Sequence, residues 1–363
     1  MYDYLLVGSG VFSCVFSNMA KNDGYKCLIL EKRSHPFGNC YTENLDGINV
    51  HKYGPHIFHT NDDKIWAFVN QFAEFNNYIN RPKVNWNNQI FSFPINLMTL
   101  YQLWGITSPE QAAKKLDQEK LNISNPQNLE EWALSQIGEE LYYKFIYGYT
   151  KKQWNTEPKN LPSFIIKRLP IRLNYDDNYY FDKYQGIPIN GYTPLLQNMT
   201  DGIDIILETD YFDRQDYWNS IAKHIVYTGP IDRYFDYEYG KLDYRSLRFE
   251  HKSLDITDFQ GNAIINFTEH QIPYTRIIEH KHFEFGNQDN TIISYEYPTD
   301  FAETNEPYYP INNDINNNIY FRYKELSKKQ NKVLFGGRLA EYRYYDMHQV
   351  IGSAISKYMK LSY

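Results

Sequence analysis

The chain holds only three cysteines, Cys14, Cys27 and Cys40, and none stand in C-x-x-C spacing. That excludes a disulfide framework or a cysteine-built zinc site and fits a reducing compartment. No run of eighteen apolar residues occurs, so no membrane-spanning helix is encoded and no membrane insertion is expected. Positive charge is also scarce, with Lys+Arg 37 against Asp+Glu 44 and a net charge of −7. A nucleic-acid surface needs a basic excess, so that partner is excluded, although a local group of arginines can still meet a small anion. The N-terminus enters a strand at once, Tyr4-Leu5-Leu6-Val7, without the basic and apolar regions of a leader, which points to a cytoplasmic protein.

Aromatic residues are abundant, at 17% with 35 Tyr and 22 Phe. Tyrosine joins a flat apolar face to a polar tip, which suits sugars, nucleobases and flavin rings, although most such side chains simply pack. A length of 363 residues exceeds one ordinary core and predicts two or three packed units.

The first unit reads as strand, glycine turn, helix and strand. Residues 2–7 form a buried strand, Gly8-Ser9-Gly10 a turn, 11–21 a helix, and Cys27-Leu28-Ile29-Leu30 a second strand ending at Glu31. In G-x-G-x-x-S the first glycine permits the tight turn, and the second lets a pyrophosphate approach backbone N–H groups at a helix N-terminus. Ser13 takes the third position, where a smaller residue is usual. Glu31 is placed to accept the hydroxyls of an unphosphorylated ribose. Behind it, Lys32-Arg33-Ser34-His35-Pro36-Phe37-Gly38-Asn39 is a basic, glycine-containing loop, and the late strand Lys332-Val333-Leu334-Phe335 ends in Gly336-Gly337-Arg338. A single-dinucleotide NAD enzyme needs neither feature. Glutathione-reductase-like flavoproteins use both, so the nucleotide expected here is FAD.

Between about 62 and 150 the apolar spacing is helical, interrupted by a hairpin at Val84–Phe91 that turns on Asn87-Asn88. Ser108-Pro109-Glu110-Gln111 and Asn128-Leu129-Glu130-Glu131 are helix starts. From about 163 to 300 strands dominate. The fold class expected is α/β: an FAD-binding Rossmann-like domain built from discontinuous segments, with a helical-bundle insert and an antiparallel β-sheet insert. Its boundaries read as 1–62, 202–232 and 332–363 for the FAD-binding domain. The helical domain takes 63–79 and 96–150, with a mobile lid at 151–170. The sheet domain takes 80–95, 171–201 and 233–331.

Six blocks resemble the bacterial UDP-galactopyranose mutase family: Lys52–Thr60, Gly148–Trp154, Phe164–Arg168, Tyr184–Pro188, Tyr274–His280 and Gly336–Tyr342. The resemblance runs in order from about residue 2 to 352. It implies an isomerase that interconverts UDP-galactopyranose and UDP-galactofuranose with no net redox change, supplying galactofuranose for cell-surface polysaccharide. It also implies that FAD acts in its reduced state, through a flavin N5–sugar adduct, kept reduced by an external reductant. A homodimer is what the family leads one to expect.

Carried over residue by residue, the resemblance gives Arg168 and Arg338 to the UDP diphosphate, with His56 and Tyr344 completing the catalytic set. A guanidinium fork binds phosphate oxygens bidentately, which suits a leaving diphosphate. Asn80, Phe145, Tyr149, Thr150, Trp154, Tyr179, Arg245, Arg276 and Tyr309 are implied substrate contacts, with Phe145 and Tyr149 stacking the base. Cofactor contacts fall on Gly8, Gly10, Ser13, Glu31, Lys32, Arg33, Gly38, Asn39, His56, Gly337, Arg338 and Met347. No metal site is expected, since His56 and His59 lack a third ligand in zinc spacing. Pro55, directly before His56, opens UDP-N-acetylgalactosamine as an alternative substrate. An amine-oxidase-like oxidoreductase on the same FAD domain is the further alternative, but it leaves the Gly148–Trp154 and Phe164–Arg168 blocks unexplained.

Overall fold

The computed structural model describes residues 1–167, 169–302 and 305–361. Arg168, central to the sequence reading, lies outside the described residues.

A five-stranded sheet carries the N-terminal motif. Its strands run Val333–Phe335, Ala222–Tyr227, Tyr2–Val7, Cys27–Leu30 and Asp204–Ile206, every neighbouring pair parallel. The chain thus returns to the first sheet twice from distant sequence. Successive side chains point to opposite faces of a strand, so Leu6 enters one core and Leu5 another. On the Leu6 face the helices Val11–Asn22, Tyr192–Met199 and Met347–Leu361 pack together through Phe16, Leu196 and Tyr358. On the Leu5 face lie Tyr211, Trp218, Tyr227 and Tyr342. The segment 171–201, grouped with the sheet domain by sequence, therefore includes a helix that packs in the nucleotide core.

The second sheet has seven strands in the order Tyr309–Pro310, Tyr244–Leu254, Thr291–Asp300, Arg276–Glu279, Ile264–Phe267, Lys83–Trp86, Gln89–Ser92. The antiparallel expectation fails at one pair, because Ile264–Phe267 runs parallel to Lys83–Trp86. A strand from residues 83–86 enters beside a meander formed much later in sequence, so no hairpin constrains its direction. The adjoining hairpin turns on Asn87 and Asn88 with φ of 52° and 58°, the left-handed pair that a two-residue turn needs.

The helical unit begins at caps read from sequence. Ser108 accepts from Gln111 N–H with Pro109 in the first turn, and Asn128 accepts from Glu131 N–H. The second of these helices, Leu129–Leu141, does not run on smoothly to Tyr147. It breaks at Gly138 (φ 74°, ψ 179°) and widens into a π-turn over Tyr142–Tyr147, before the helix Gly148–Trp154. Gly148 lies against the sheet so closely that a Cβ there would stand 2.2 Å from the Thr268 carbonyl oxygen. No described helix is long and apolar enough to cross a membrane.

Candidate functional site

Gly8 adopts φ +93°, and a Cβ there would sit 2.5 Å from Thr228 Oγ1. Only glycine satisfies both conditions, and the turn delivers the chain to Gly10, the N-cap of the helix Val11–Asn22. Gly10 offers no side-chain cap, and a Cβ on it would meet no protein atom within 4 Å. The helix start therefore faces open space with uncapped N–H groups, the arrangement that receives an anion. Gly38 closes over this turn, its Cβ direction 3.4 Å from Gly10 Cα.

Glu31 is buried at 5% exposure. Its Oε2 accepts from Ser9 N–H (3.0 Å) and the Ser9 hydroxyl (2.6 Å), and its Oε1 accepts from Arg33 N–H (3.0 Å). Acceptor capacity is left on Oε1 for a ribose hydroxyl. Arg33 donates to Asn39 Oδ1 at 3.0 Å, pairs with Glu306 at 3.1 Å and lies over the Tyr53 ring, yet its second terminal nitrogen is buried without a protein partner. Lys32 also reaches Glu306, at 3.1 Å. Ser13 is fully buried and its hydroxyl has no partner, a cost that glycine or alanine would avoid. Gly337, Cys40 and Met347 approach from the other segments. Gly337 stands at φ +85° against Phe12 and Thr228, and Cys40 Sγ lies 3.8 Å from Met347 Sδ at the start of the last helix. An uncapped helix start, an open glycine and an orphan guanidinium nitrogen together fit a dinucleotide diphosphate.

Directly after Gly337 a second cluster of polar side chains begins. Arg338 donates to the carbonyls of Tyr308 (3.3 Å) and Tyr345 (2.6 Å) and lies 5.6 Å over the Tyr344 ring. Tyr344 stacks on Tyr309 at 5.3 Å. Arg276 donates its Nε–H to Glu296 Oε1 at 2.9 Å. His56, Tyr149, Arg276 and Tyr309 all keep accessible surface, yet burial is the leading influence on how each titrates. These side chains lie deep yet keep some contact with solvent.

The charges there act on one another. Burial, then Arg338, holds His56 down to about 4, with Arg276 adding to it. His56 is thus neutral at physiological pH. Its Nδ1 lies 2.8 Å from the Gly54 carbonyl, which only accepts, so Nδ1 carries the proton and Nε2 offers a lone pair. Tyr149 is raised to about 12 by burial, with Arg276 pulling the other way and Glu296, Tyr179 and Tyr344 reinforcing the rise. The cluster therefore offers two arginines, a neutral imidazole and protonated phenols, a set suited to a sugar linked to phosphates.

Other expected contacts stand apart. Arg245 is 3% exposed and spent on the Gln153 carbonyl and on Asp300. Phe145 is 2% exposed, edge-on to Phe91 within the helical core, and presents no open face for a base. Thr150 is buried at 8% and Trp154 packs against the same core. Asn80 is buried with its Oδ1 unpartnered, and its carbonyl accepts from Tyr179 N–H at 2.8 Å. Both lie at the edge between sheet and helical unit.

Sequence reasoning missed Glu296, Glu306 and His51. Glu296 is 1% exposed, and its Oε2 has no partner although it lies within 3.7 Å of where a Gly54 Cβ would stand. No motif announces it, because its meaning comes from the register that sets it opposite Arg276. Asp258, Glu279 and His282 bring ligand atoms within 4.8 Å of one another, the grouping among the described residues that comes nearest to a metal site. Glu279 already accepts from Phe259 N–H, Gln260 N–H and the Thr291 hydroxyl, so the cluster reads as a histidine–carboxylate network.

Fold and site together define a Rossmann-like dinucleotide-binding domain beside a cluster of arginine and tyrosine side chains. Sequence comparison agrees: residues 6–72 match the NAD(P)-binding Rossmann-like domain, and residues 144–344 match UDP-galactopyranose mutase. A dTDP-fucopyranose mutase of Escherichia coli is 40% identical, covering 98% of this chain and 97% of that one. A probable UDP-galactopyranose mutase of Klebsiella pneumoniae is 41% identical over 97% and 92%. The solved structure of a reduced UDP-galactopyranose mutase superposes with TM-score 0.74 at 14% identity, covering 99% of this chain and 94% of that one. A putrescine oxidase variant superposes at 0.61 and 10% identity, covering 99% and 98%. These last two show the shared fold. The chain belongs to the UDP-galactopyranose mutase family and is an isomerase of that family.

Proposed function

We propose that this isomerase interconverts UDP-galactopyranose and UDP-galactofuranose and requires FAD in its reduced state. Family membership supports the reaction, and the observation that carries it to these residues is the cluster of His56, Arg276, Tyr309, Arg338 and Tyr344 beside the Gly336-Gly337 strand end. FAD would lie along Gly8, Gly10, Ser13, Glu31, Lys32, Arg33, Gly38, Asn39 and Gly337, with Met347 at its far end. Bound there in its reduced state, the flavin would supply the nucleophile for the anomeric carbon. Arg338 and Arg168 hold the diphosphate, whose charge grows as the sugar departs, so their contacts strengthen toward the transition state. Neutral His56 accepts a hydroxyl proton or hydrogen bond through Nε2. Asn80, Tyr149 and Tyr179 stand toward the base, with Phe145, Thr150 and Trp154 behind them, and Arg245 tethers the root of the lid. We assign a cytoplasmic location, a homodimer, an external reductant, the three-part domain division with the helix Tyr192–Met199 moved into the FAD-binding domain, a lid at 151–170 and a role in cell-surface polysaccharide.

A second reading concerns the sugar nucleotide. The Escherichia coli relative acts on dTDP-fucopyranose and is about as similar as the Klebsiella one, so a 6-deoxy sugar on dTDP competes with UDP-galactose. UDP-N-acetylgalactosamine remains the third candidate. The purified protein, reduced with dithionite, is to be given each furanose nucleotide in turn and its products resolved chromatographically. Conversion of UDP-galactofuranose at the highest kcat/KM, only when reduced and abolished in Arg168→Ala, supports the assignment. Preferred conversion of dTDP-fucofuranose replaces the substrate, and peroxide formed with net substrate oxidation replaces the reaction class.

A further inference from the structure

His56 does not stand alone in this cluster. Its backbone N–H donates to Nδ1 of His51 at 3.1 Å, and His51 N–H donates in turn to Nδ1 of His280 at 3.2 Å. His280 Nε2 meets the Ser294 hydroxyl at 2.6 Å, and Ser294 meets His251 Nδ1 at 2.6 Å. His51 ends the strand Ile48–His51, His280 follows the strand Arg276–Glu279, and His251 faces Ser294 across two paired strands. The chain therefore runs from the half-buried flank of the seven-stranded sheet to the loop that carries His56.

Hydrogen-bond polarity fixes every proton along it. A backbone N–H only donates, so Nδ1 of His51 and Nδ1 of His280 must both present lone pairs. Each neutral ring then carries its proton on Nε2. His280 donates to Ser294, and the single hydroxyl proton of Ser294 goes to His251 Nδ1. Protonating His51 would set N–H against N–H and release His56. Between His51 and His56 the backbone passes through Gly54 at φ +103°, a turn pressed against Phe249. The turn is held at one end by His51 and at the other by the His56 ring on the Gly54 carbonyl. His51 is itself clamped, stacked on Phe283 at 4.7 Å with the Tyr192 ring edge-on at 5.6 Å.

We propose that His51 is a positioning residue for the reaction: its neutral Nδ1 anchors the backbone of His56 and so aims the His56 Nε2 lone pair into the pocket. The proposal rests on the reading that His56 faces the substrate. A residue of mere bulk would pack equally well as phenylalanine, whereas this role needs an acceptor at the Nδ1 position. Asparagine places its Oδ1 near that point and keeps the acceptor with a smaller side chain.

The test uses the full-length, flavin-loaded protein and begins with wild type. Long-range nitrogen–proton NMR of the histidines should show His51 and His280 protonated on Nε2 and His56 on Nδ1. His51 protonated on Nδ1 would overturn the proposal whatever the substrate proves to be. Steady-state kinetics then compare His51→Phe with His51→Asn. His51→Phe should lower kcat about tenfold or more with little change in KM, and the His56 tautomer signal should change. His51→Asn should recover most of kcat. Equal activity of His51→Phe and wild type, or no recovery in a folded His51→Asn, would sink it. Absence of mutase activity in wild type with the tautomers as stated would instead point to a wrong substrate.

Discussion

Glu296 and Arg276 face each other across adjacent antiparallel strands, and Glu296 Oε1 receives the Arg276 Nε–H at 2.9 Å. A similar cross-strand pair joins Arg245 to Asp300, but Asp300 keeps 73% of its side chain exposed whereas Glu296 keeps 1%. The first pair orients an arginine that acts on His56 and Tyr149, and the second ties a strand edge to the Gln153 carbonyl.

Removing one partner of the buried pair leaves an uncompensated charge. Glu296→Ala should lose about 2–4 kcal/mol of stability, below the fully buried limit because Arg276 is partly solvated. Glu296→Gln keeps an acceptor for Arg276 Nε and should lose less stability. Urea denaturation of both variants checks this; equal losses would mean that the negative charge, which both variants remove, is the whole contribution.

Arg338 helps to keep His56 neutral. Arg338→Met removes a cation from beside the imidazole, so the His56 pKa should rise from about 4 towards the ordinary histidine value, stopping short because burial persists. The same variant should lower kcat/KM about a hundredfold to a thousandfold. An NMR titration of His56 reads the first effect, and a pKa that fails to move would place Arg338 outside its field.

The Glu279–His282 pair predicts a stability window. Burial raises Glu279, but His282, Thr291 and the Phe259 and Gln260 N–H groups outweigh it and bring it from 4.5 to about 2. His282 is raised above 6.5, chiefly by its hydrogen bond to Glu279. The carboxylate's contribution is complete above pH 4.5 and disappears as pH falls through about 2. The histidine's is complete below pH 6.5 and disappears as pH rises through its folded-state value. Glu279→Gln should therefore cost on the order of 2–3 kcal/mol at pH 5–6 and much less at pH 2. Urea midpoints across that range test it, and a pH-independent loss would refute the linkage.

Two glycines of one turn should behave oppositely. Gly8→Ala meets Thr228 at a left-handed φ and should destabilise the flavin-free protein by about 1–3 kcal/mol. Gly10→Ala meets no protein atom and should leave that stability nearly unchanged while weakening flavin binding, because the methyl group enters the diphosphate's space. Thermal melts without flavin and fluorescence titration with FAD separate the two; a strong loss of apo stability in Gly10→Ala would contradict the assignment.

Local order settled much of this molecule before any contact was known. The glycine turn, the helix it starts, the buried strands on either side, the Ser108 and Asn128 caps and the Asn87-Asn88 hairpin all follow from neighbouring residues, because backbone conformation and capping act within a few positions. The matched blocks likewise point to the family, since Gly336-Gly337-Arg338 and Lys52–Thr60 keep their order in the chain. Local order cannot say which arginine joins the cluster around His56. Arg245 and Arg276 are alike in sequence, and only strand register and the depth of the opposing carboxylate separate them. Nor does it join His51, His251, His280 and Ser294, which meet because a strand beside the nucleotide core crosses the far sheet. The Gly54 carbonyl, two residues away, decides which nitrogen of His56 is free, whereas hydrogen-bond polarity across the long separations, a tertiary property, fixes the His51 lone pair that holds the His56 backbone.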